Sequence, residues 1–138
     1  MVAIHLGAAR DSELRAVESV GAVAGKGLEG DRHFHGQGAR PGQALTLVAA
    51  EAVEDVGLAP GETRRQVTVR DVDLAGLIGR RFRVGEVECF GVELCEPCAH
   101  LESLTRPGIV KELVHRAGIN ADIVVGGEIR VGDAVVEL

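Results

Sequence analysis

The chain of 138 residues has no tryptophan and no tyrosine, and only three phenylalanines and one methionine. It therefore has little with which to stack nucleobases. Its 15 basic residues are outnumbered by 21 acidic ones, for a net charge of −6, and no block of lysine or arginine breaks that balance. Phosphate neutralisation and base stacking ask for the opposite on both counts, so no nucleic-acid partner is expected. No apolar run approaches the roughly 18 residues of a membrane span. The opening Met1-Val2-Ala3-Ile4-His5 lacks a basic stretch followed by a long apolar one. No membrane partner is expected, and the chain reads as cytoplasmic. Cysteines number three, an odd count without secretory context, which argues for reduced thiols and against a disulfide framework.

What is present is 46% hydrophobic and 26% charged, the composition of an ordinary globular protein. The length suits a single domain, 1–138, which buries about two-thirds of the surface of its unfolded form and needs no disulfide or metal to fold. Nineteen glycines favour short strands joined by turns over a helical bundle. Val2, Ile4 and Leu6 alternate with Ala3 and His5 as in a strand. Residues 11 to 24 fit a helix through Leu14, Val17 and Val20, or a strand through the Val/Ala-rich run from Val17 to Ala24. From Gly25 to Gly42 the chain turns polar and glycine-rich, a long loop of the kind that usually serves function.

Gln43 to Val48 resumes a strand pattern, and a short helix follows through Val56 to a stop at Gly57. Gln66 to Arg70 predicts another strand and Asp73 to Gly79 a compact connector. Arg83-Val84-Gly85-Glu86-Val87-Glu88 and Arg130-Val131-Gly132-Asp133-Ala134-Val135 each place a Gly-acid pair between β-type runs, the pattern of two tight hairpins. Pro107 opens a helix with Val110, Leu113, Val114 and Ala117 on one face, His115 and Arg116 in its last turn and Gly118 as its cap. Ala121 to Val125 and Ala134 to Leu138 complete the strands. Seven or eight short strands against two short helices predict an all-β or β-rich α+β domain. Its expected form is a closed or nearly closed, mostly antiparallel β-barrel.

Cys98 is the first candidate for chemistry. It follows Pro97 in a turn leaving a strand, where backbone N–H groups can hold the reactive thiolate. The plainer reading is a small hydrophobe under a turn, which is the reading adopted for Cys89 within its strand. Cys95 and Cys98 form C-x-x-C. The late position between hairpins speaks against a thioredoxin-like motif, while zinc could be held by Cys95, Cys98 and His100 with His33 or His35. In the glycine-rich segment, Arg32 offers a fork for an anion, and Asp31 could orient Arg32 or His33; the alternative is a solvated loop with a weak ion pair. Neither G-x-x-x-x-G-K-[ST] nor G-x-G-x-x-G occurs. Arg64-Arg65-Gln66, just before a strand, is either a third anion-binding candidate or an edge guard.

Taken in order, several segments resemble one family. They are Gly25-Lys26-Gly27-Leu28-Glu29-Gly30-Asp31-Arg32-His33, Gln43-Ala44-Leu45-Thr46-Leu47 with Glu51, and Arg64-x-Gln66-Val67-Thr68-Val69. Further on come Asp73-Leu74-x-x-Leu77-x-Gly79-x-x-Phe82-x-Val84-Gly85, Glu96-Pro97-Cys98 and Gly126-Gly127-Glu128-Ile129-x-Val131-Gly132-Asp133. Together they resemble the MOSC domain, named for the C-terminal domain of molybdenum cofactor sulfurases. The resemblance implies a β-rich, barrel-like fold with one essential cysteine, Cys98 by its place after Pro97. That cysteine would ligate the molybdenum of a pterin molybdenum cofactor in an enzyme that reduces N-hydroxylated compounds.

It also implies an alternative, in which the same cysteine carries sulfur as a persulfide loaded by a pyridoxal-phosphate cysteine desulfurase for metal-sulfur cofactor assembly. Arg32 and Arg64 match arginines that face the cofactor's phosphate and pterin, and Asp31, His33 and Gln66 complete the cofactor-binding candidates. At Gln66 the family commonly has Asn. Cys95 lies outside the family pattern and could resolve a persulfide on Cys98. With no room for a desulfurase, haem or flavin domain, a separate desulfurase or redox partner would be needed, and a second subunit could complete a shallow site.

Overall fold

The computed structural model describes residues 1–7 and 14–138. Among these residues eleven strands follow in chain order: β1 (Ala3–Leu6), β2 (Arg15–Val17), β3 (Ser19–Val23), β4 (Gly27–Leu28), β5 (Leu45–Ala49), β6 (Val67–Val69), β7 (Arg81–Val84), β8 (Val87–Leu94), β9 (Ile119–Val125), β10 (Gly127–Arg130) and β11 (Val135–Glu137). Three short helices interrupt them, α1 (Ala50–Asp55), α2 (Ala99–Leu104) and α3 (Ile109–Leu113), with a 3-10 turn at Ala75–Leu77. None of these helices is long and apolar enough to cross a membrane.

The strands form two sheets. Eight run in the order β11-β7-β8-β9-β5-β6-β1-β2, and three in the order β10-β3-β4. The expected closed barrel does not form, and the fold is mixed α+β rather than all-β. The larger sheet ends on β11 at one edge and β2 at the other, which do not pair. The reason lies at Gly126-Gly127. A Cβ at Gly126 would stand 2.7 Å from the Ala22 carbonyl oxygen, and Gly127 has φ +159. This glycine corner carries the chain straight out of β9 into β10, which pairs with β3 in the second sheet.

Pairing is antiparallel except between β5 and β6, which run parallel with α1 in their crossover. The hairpin at Gly85 forms as expected, with Val84 opposite Val87 and Gly85 at φ +59. The second expected hairpin does not. The turn is tight, the Arg130 N–H donating to Asp133 Oδ2 at 2.8 Å, but it returns the chain to the other sheet, where β11 pairs with β7. Residues 15–17 and 19–23 resolve the ambiguous early stretch as strands, while 11–13 lie outside the described residues.

The main core lies between the sheets. Ile4 and Leu6 from β1, Leu45 and Leu47 from β5, Phe82 from β7 and Ile119 and Ile123 from β9 meet Val20, Leu28 and Ile129 of the smaller sheet. Each such side chain contributes about 1.5–3 kcal/mol of transfer free energy. The smaller sheet is thus held by burial rather than by edge pairing. A second, separate cluster joins Val56, Leu101, Ile109, Leu113 and Ala117 under α2 and α3. The expected helix from Pro107 stops at Leu113, so His115 and Arg116 fall beyond it, with His115 at φ +63. Gly118, expected as its cap, instead opens β9, because a Cβ there would stand 2.0 Å from the Leu47 carbonyl oxygen. The helix α2 has no counterpart among the elements expected from the sequence.

Candidate functional site

One cleft of about 370 Å³ gathers residues far apart in sequence: Arg32 and His33 from the loop after β4, Arg64 and Gln66 before β6, and Cys95 and Cys98 after β8. His35, Thr46, Arg65, His100 and Asn120 also line it, and no carboxylate among the described residues does. Cys98 is exposed and is the residue that caps the start of α2, whereas Cys95 is half-buried and Cys89 is sealed in the core. Burial pushes the Cys89 thiol up to about 12 and, less far, raises that of Cys95 against the pull of the nearby Arg65 guanidinium. Desolvation of the charged form is the main cause in both cases. Cys89 is therefore inert packing, as its strand pattern predicts.

Asp31 lies beneath the cleft as a brace. Its Oδ1 accepts the Gly7 N–H at 2.9 Å, and its Oδ2 accepts the His33 N–H at 3.0 Å and Gln66 Nε2 at 2.8 Å. Gln66 is itself held. Its Oε1 accepts the Thr46 N–H at 2.9 Å, and its own N–H donates to Thr46 Oγ1 at 2.9 Å. The amide of Gln66 thus ties the glycine-rich loop to β5 and β6. Arg32 is exposed, its Nε donating to His33 Nε2 at 3.2 Å. Burial first, then the Arg32 charge, holds the His33 imidazole below its ordinary value. His35 Nε2 is buried on the cleft side of the same loop with no hydrogen-bond partner.

Arg64 and Arg65 diverge. Arg64 adopts φ +63, a left-handed conformation rare outside glycine, and lines the cleft. Arg65 turns to backbone carbonyls: Nε donates to Ala117 at 2.8 Å, Nη1 to Thr63 at 3.3 Å, and Nη2 to Cys95 at 3.0 Å and to Glu96 at 3.3 Å. The sequence marks Arg65 beside Arg64 as a candidate or an edge guard, and Thr46 within a family-like segment, but neither the carbonyl contacts of Arg65 nor the bonds between Thr46 and Gln66 leave a trace in it.

The zinc arrangement does not assemble. Among the described residues no three His, Cys, Asp or Glu side chains converge to hold a metal ion. The physical reason is local: residues 95–98 leave β8 without a turn, Cys98 being extended at φ −132 and ψ 169. Cys95, Cys98 and His100 are therefore not curled around a common centre.

The family model of the MOSC domain matches residues 31–136. The chain belongs to the MOSC family. That family is linked to molybdenum cofactor binding. Known structures agree on the fold of this MOSC domain. The YuaD protein from Bacillus subtilis superimposes with a TM-score of 0.79 at 17% identity, over 96% of this chain and 91% of that one. YiiM from Geobacillus stearothermophilus gives a TM-score of 0.76 at 15% identity, over 99% and 73% of the respective chains. YiiM from Escherichia coli gives 0.71 at 16% identity, over 99% and 67%. Likeness at these identities speaks for fold alone. No curated protein matches the chain.

Proposed function

We propose that this MOSC domain binds the pterin molybdenum cofactor with the Cys98 thiolate as protein ligand to molybdenum, and reduces N-hydroxylated compounds. The observation that carries the reading is the convergence of an exposed thiol, Cys98, with Arg32 and Arg64 on one cleft free of carboxylates among the described residues. The donor set suits the group: a thiolate is a soft metal ligand, and guanidinium forks suit an anionic pterin phosphate.

When bound, the cofactor supplies two-electron redox chemistry at a metal whose further sulfur ligands are its own. The protein's share is to bind and orient. Arg32 and Arg64 take the anionic end, and the Asp31–Gln66–Thr46 network keeps the glycine-rich loop in place. His33 Nε2 accepts from Arg32 Nε, so the neutral ring carries its proton on Nδ1. Its lowered proton affinity keeps that ring neutral near pH 7.

The test is elemental analysis of protein made in a host that produces the cofactor. Wild type should carry molybdenum and Cys98→Ser should not. Molybdenum absent from wild type, or retained by the serine variant, refutes the reading. The second reading, sulfur carriage, draws support from the half-buried Cys95 thiol in the same cleft as Cys98. It would be established by a mass gain of one sulfur on Cys98 after incubation with a pyridoxal-phosphate cysteine desulfurase and cysteine.

A further inference from the structure

We infer that Arg65 is the positioning residue for Cys98, a strut between the sheet and the cysteine segment rather than an anion-binding arginine. Three observations carry this. First, its guanidinium donates to four carbonyls in three separate stretches of chain: Thr63 ahead of β6, Cys95 and Glu96 in the cysteine segment, and Ala117 at the entry to β9. A guanidinium has five N–H donors, so little remains for a ligand. Second, Arg64 and Arg65 both line the cleft, but the left-handed backbone at Arg64 separates the two adjacent side chains, and Arg65 commits its donors to backbone carbonyls.

Third, the cysteine segment sits at a junction. The helices that follow it rest on their own apolar cluster, apart from the main core that anchors β5 and β6. Across that junction the segment is tied by the Cys95 N–H to the Gly118 carbonyl at 2.8 Å, and by Glu96 to the His115 N–H at 2.7 Å and to its Nδ1 at 2.8 Å. The Glu96–His115 pair is solvent-exposed, its side chains 43% and 73% accessible, and such pairs contribute little. The part-buried bonds of Arg65 therefore set where Cys98 stands relative to Arg64. Lysine cannot replace it, since a point ammonium cannot span four carbonyls in a plane.

The inference rests on Cys98 being the working sulfur, and its test is independent of the metal. Cofactor-free full-length protein is treated with iodoacetamide, and the rates at Cys95 and Cys98 are read by peptide mass. Wild type should label Cys98 well before Cys95. Arg65→Gln should narrow that preference by about tenfold with an unchanged far-UV circular dichroism spectrum. Arg65→Lys should behave as Arg65→Gln does. Millimolar guanidinium should restore the preference in Arg65→Gln, and Arg80→Gln, in an exposed pair remote from the cleft lining, should leave it as in wild type. A wild-type preference in Arg65→Gln overturns the strut and leaves the molybdenum reading standing.

Should Arg65→Gln not fold, the wild-type protein decides alone. The Arg65 Nε–H should exchange with solvent far more slowly than that of Arg80, whose side chain is 64% exposed. Equal exchange rates overturn the proposal.

Discussion

Replacing Asp31 with asparagine tests whether this carboxylate braces the loop or faces a ligand. Asp31 is 8% exposed and receives three N–H donors, from Gly7, His33 and Gln66. Asparagine keeps the shape but offers only one oxygen. If that oxygen serves His33 and Gln66, the new NH₂ group points at the Gly7 N–H, donor against donor; turned over, it confronts the other two. The variant therefore loses at least one charge-assisted bond and buries an unpaired donor, a cost of roughly 2–3 kcal/mol. For a chain of this length that is a fall of about 6–12 °C in Tm, at roughly 3–4 °C per kcal/mol. Thermal unfolding followed by circular dichroism, on cofactor-free protein, measures it. A shift under about 2 °C would show that the bonds to Asp31 carry no net stability. Lost molybdenum without that shift would make it a ligand contact instead.

Two further predictions concern stability. Gly118 and Gly132 both have positive φ, at +108 and +99, but only Gly118 is crowded, with the Leu47 carbonyl oxygen 2.0 Å from a would-be Cβ. Gly118→Ala should cost more than about 4 kcal/mol and give little soluble folded protein, whereas Gly132→Ala, in open space, should cost about 1 kcal/mol; comparable soluble yields and unfolding midpoints would refute the crowding argument. Burial lowers the proton affinity of His5 below its ordinary 6.5, and that of His33 is lowered likewise. As pH falls from 6.5 toward the lowered folded values, the unfolded chain binds protons that the folded one refuses, so stability declines across that window and is flat above it. Urea midpoints should fall between about pH 7 and pH 5, and His5→Asn should make the slope shallower; an unchanged slope would assign the effect to other groups.

The elements with a clear local signature were legible in the chain. β1, β6 and the Gly85 hairpin follow from alternation and from a glycine at a positive-φ turn position, and α1 stops at Asp55, just short of the expected Val56, with Gly57 at φ +76 beyond its cap. The cysteine after Pro97 and the arginines at 32 and 64 could be picked out because their side-chain chemistry is distinctive at any position. The helix α2 escapes because it is six residues long, follows an extended proline-cysteine segment and rests on a contact made by Leu101 alone among its buried residues. The Gly132 turn misled because a tight turn specifies only a reversal, and not which strands flank it.

Residue pattern alone thus determined a β-rich chain, an inert Cys89 and a short set of reactive groups, since alternation, glycine φ and side-chain chemistry are local properties. Which sheet received β10 depended on β3, more than 100 residues away, and how Asp31, Gln66 and Arg65 divided their long-range hydrogen bonds depended on partners 20 to 52 residues away. Such bonds are chosen by burial, because a polar group taken from water bonds to whatever the packed core brings within reach.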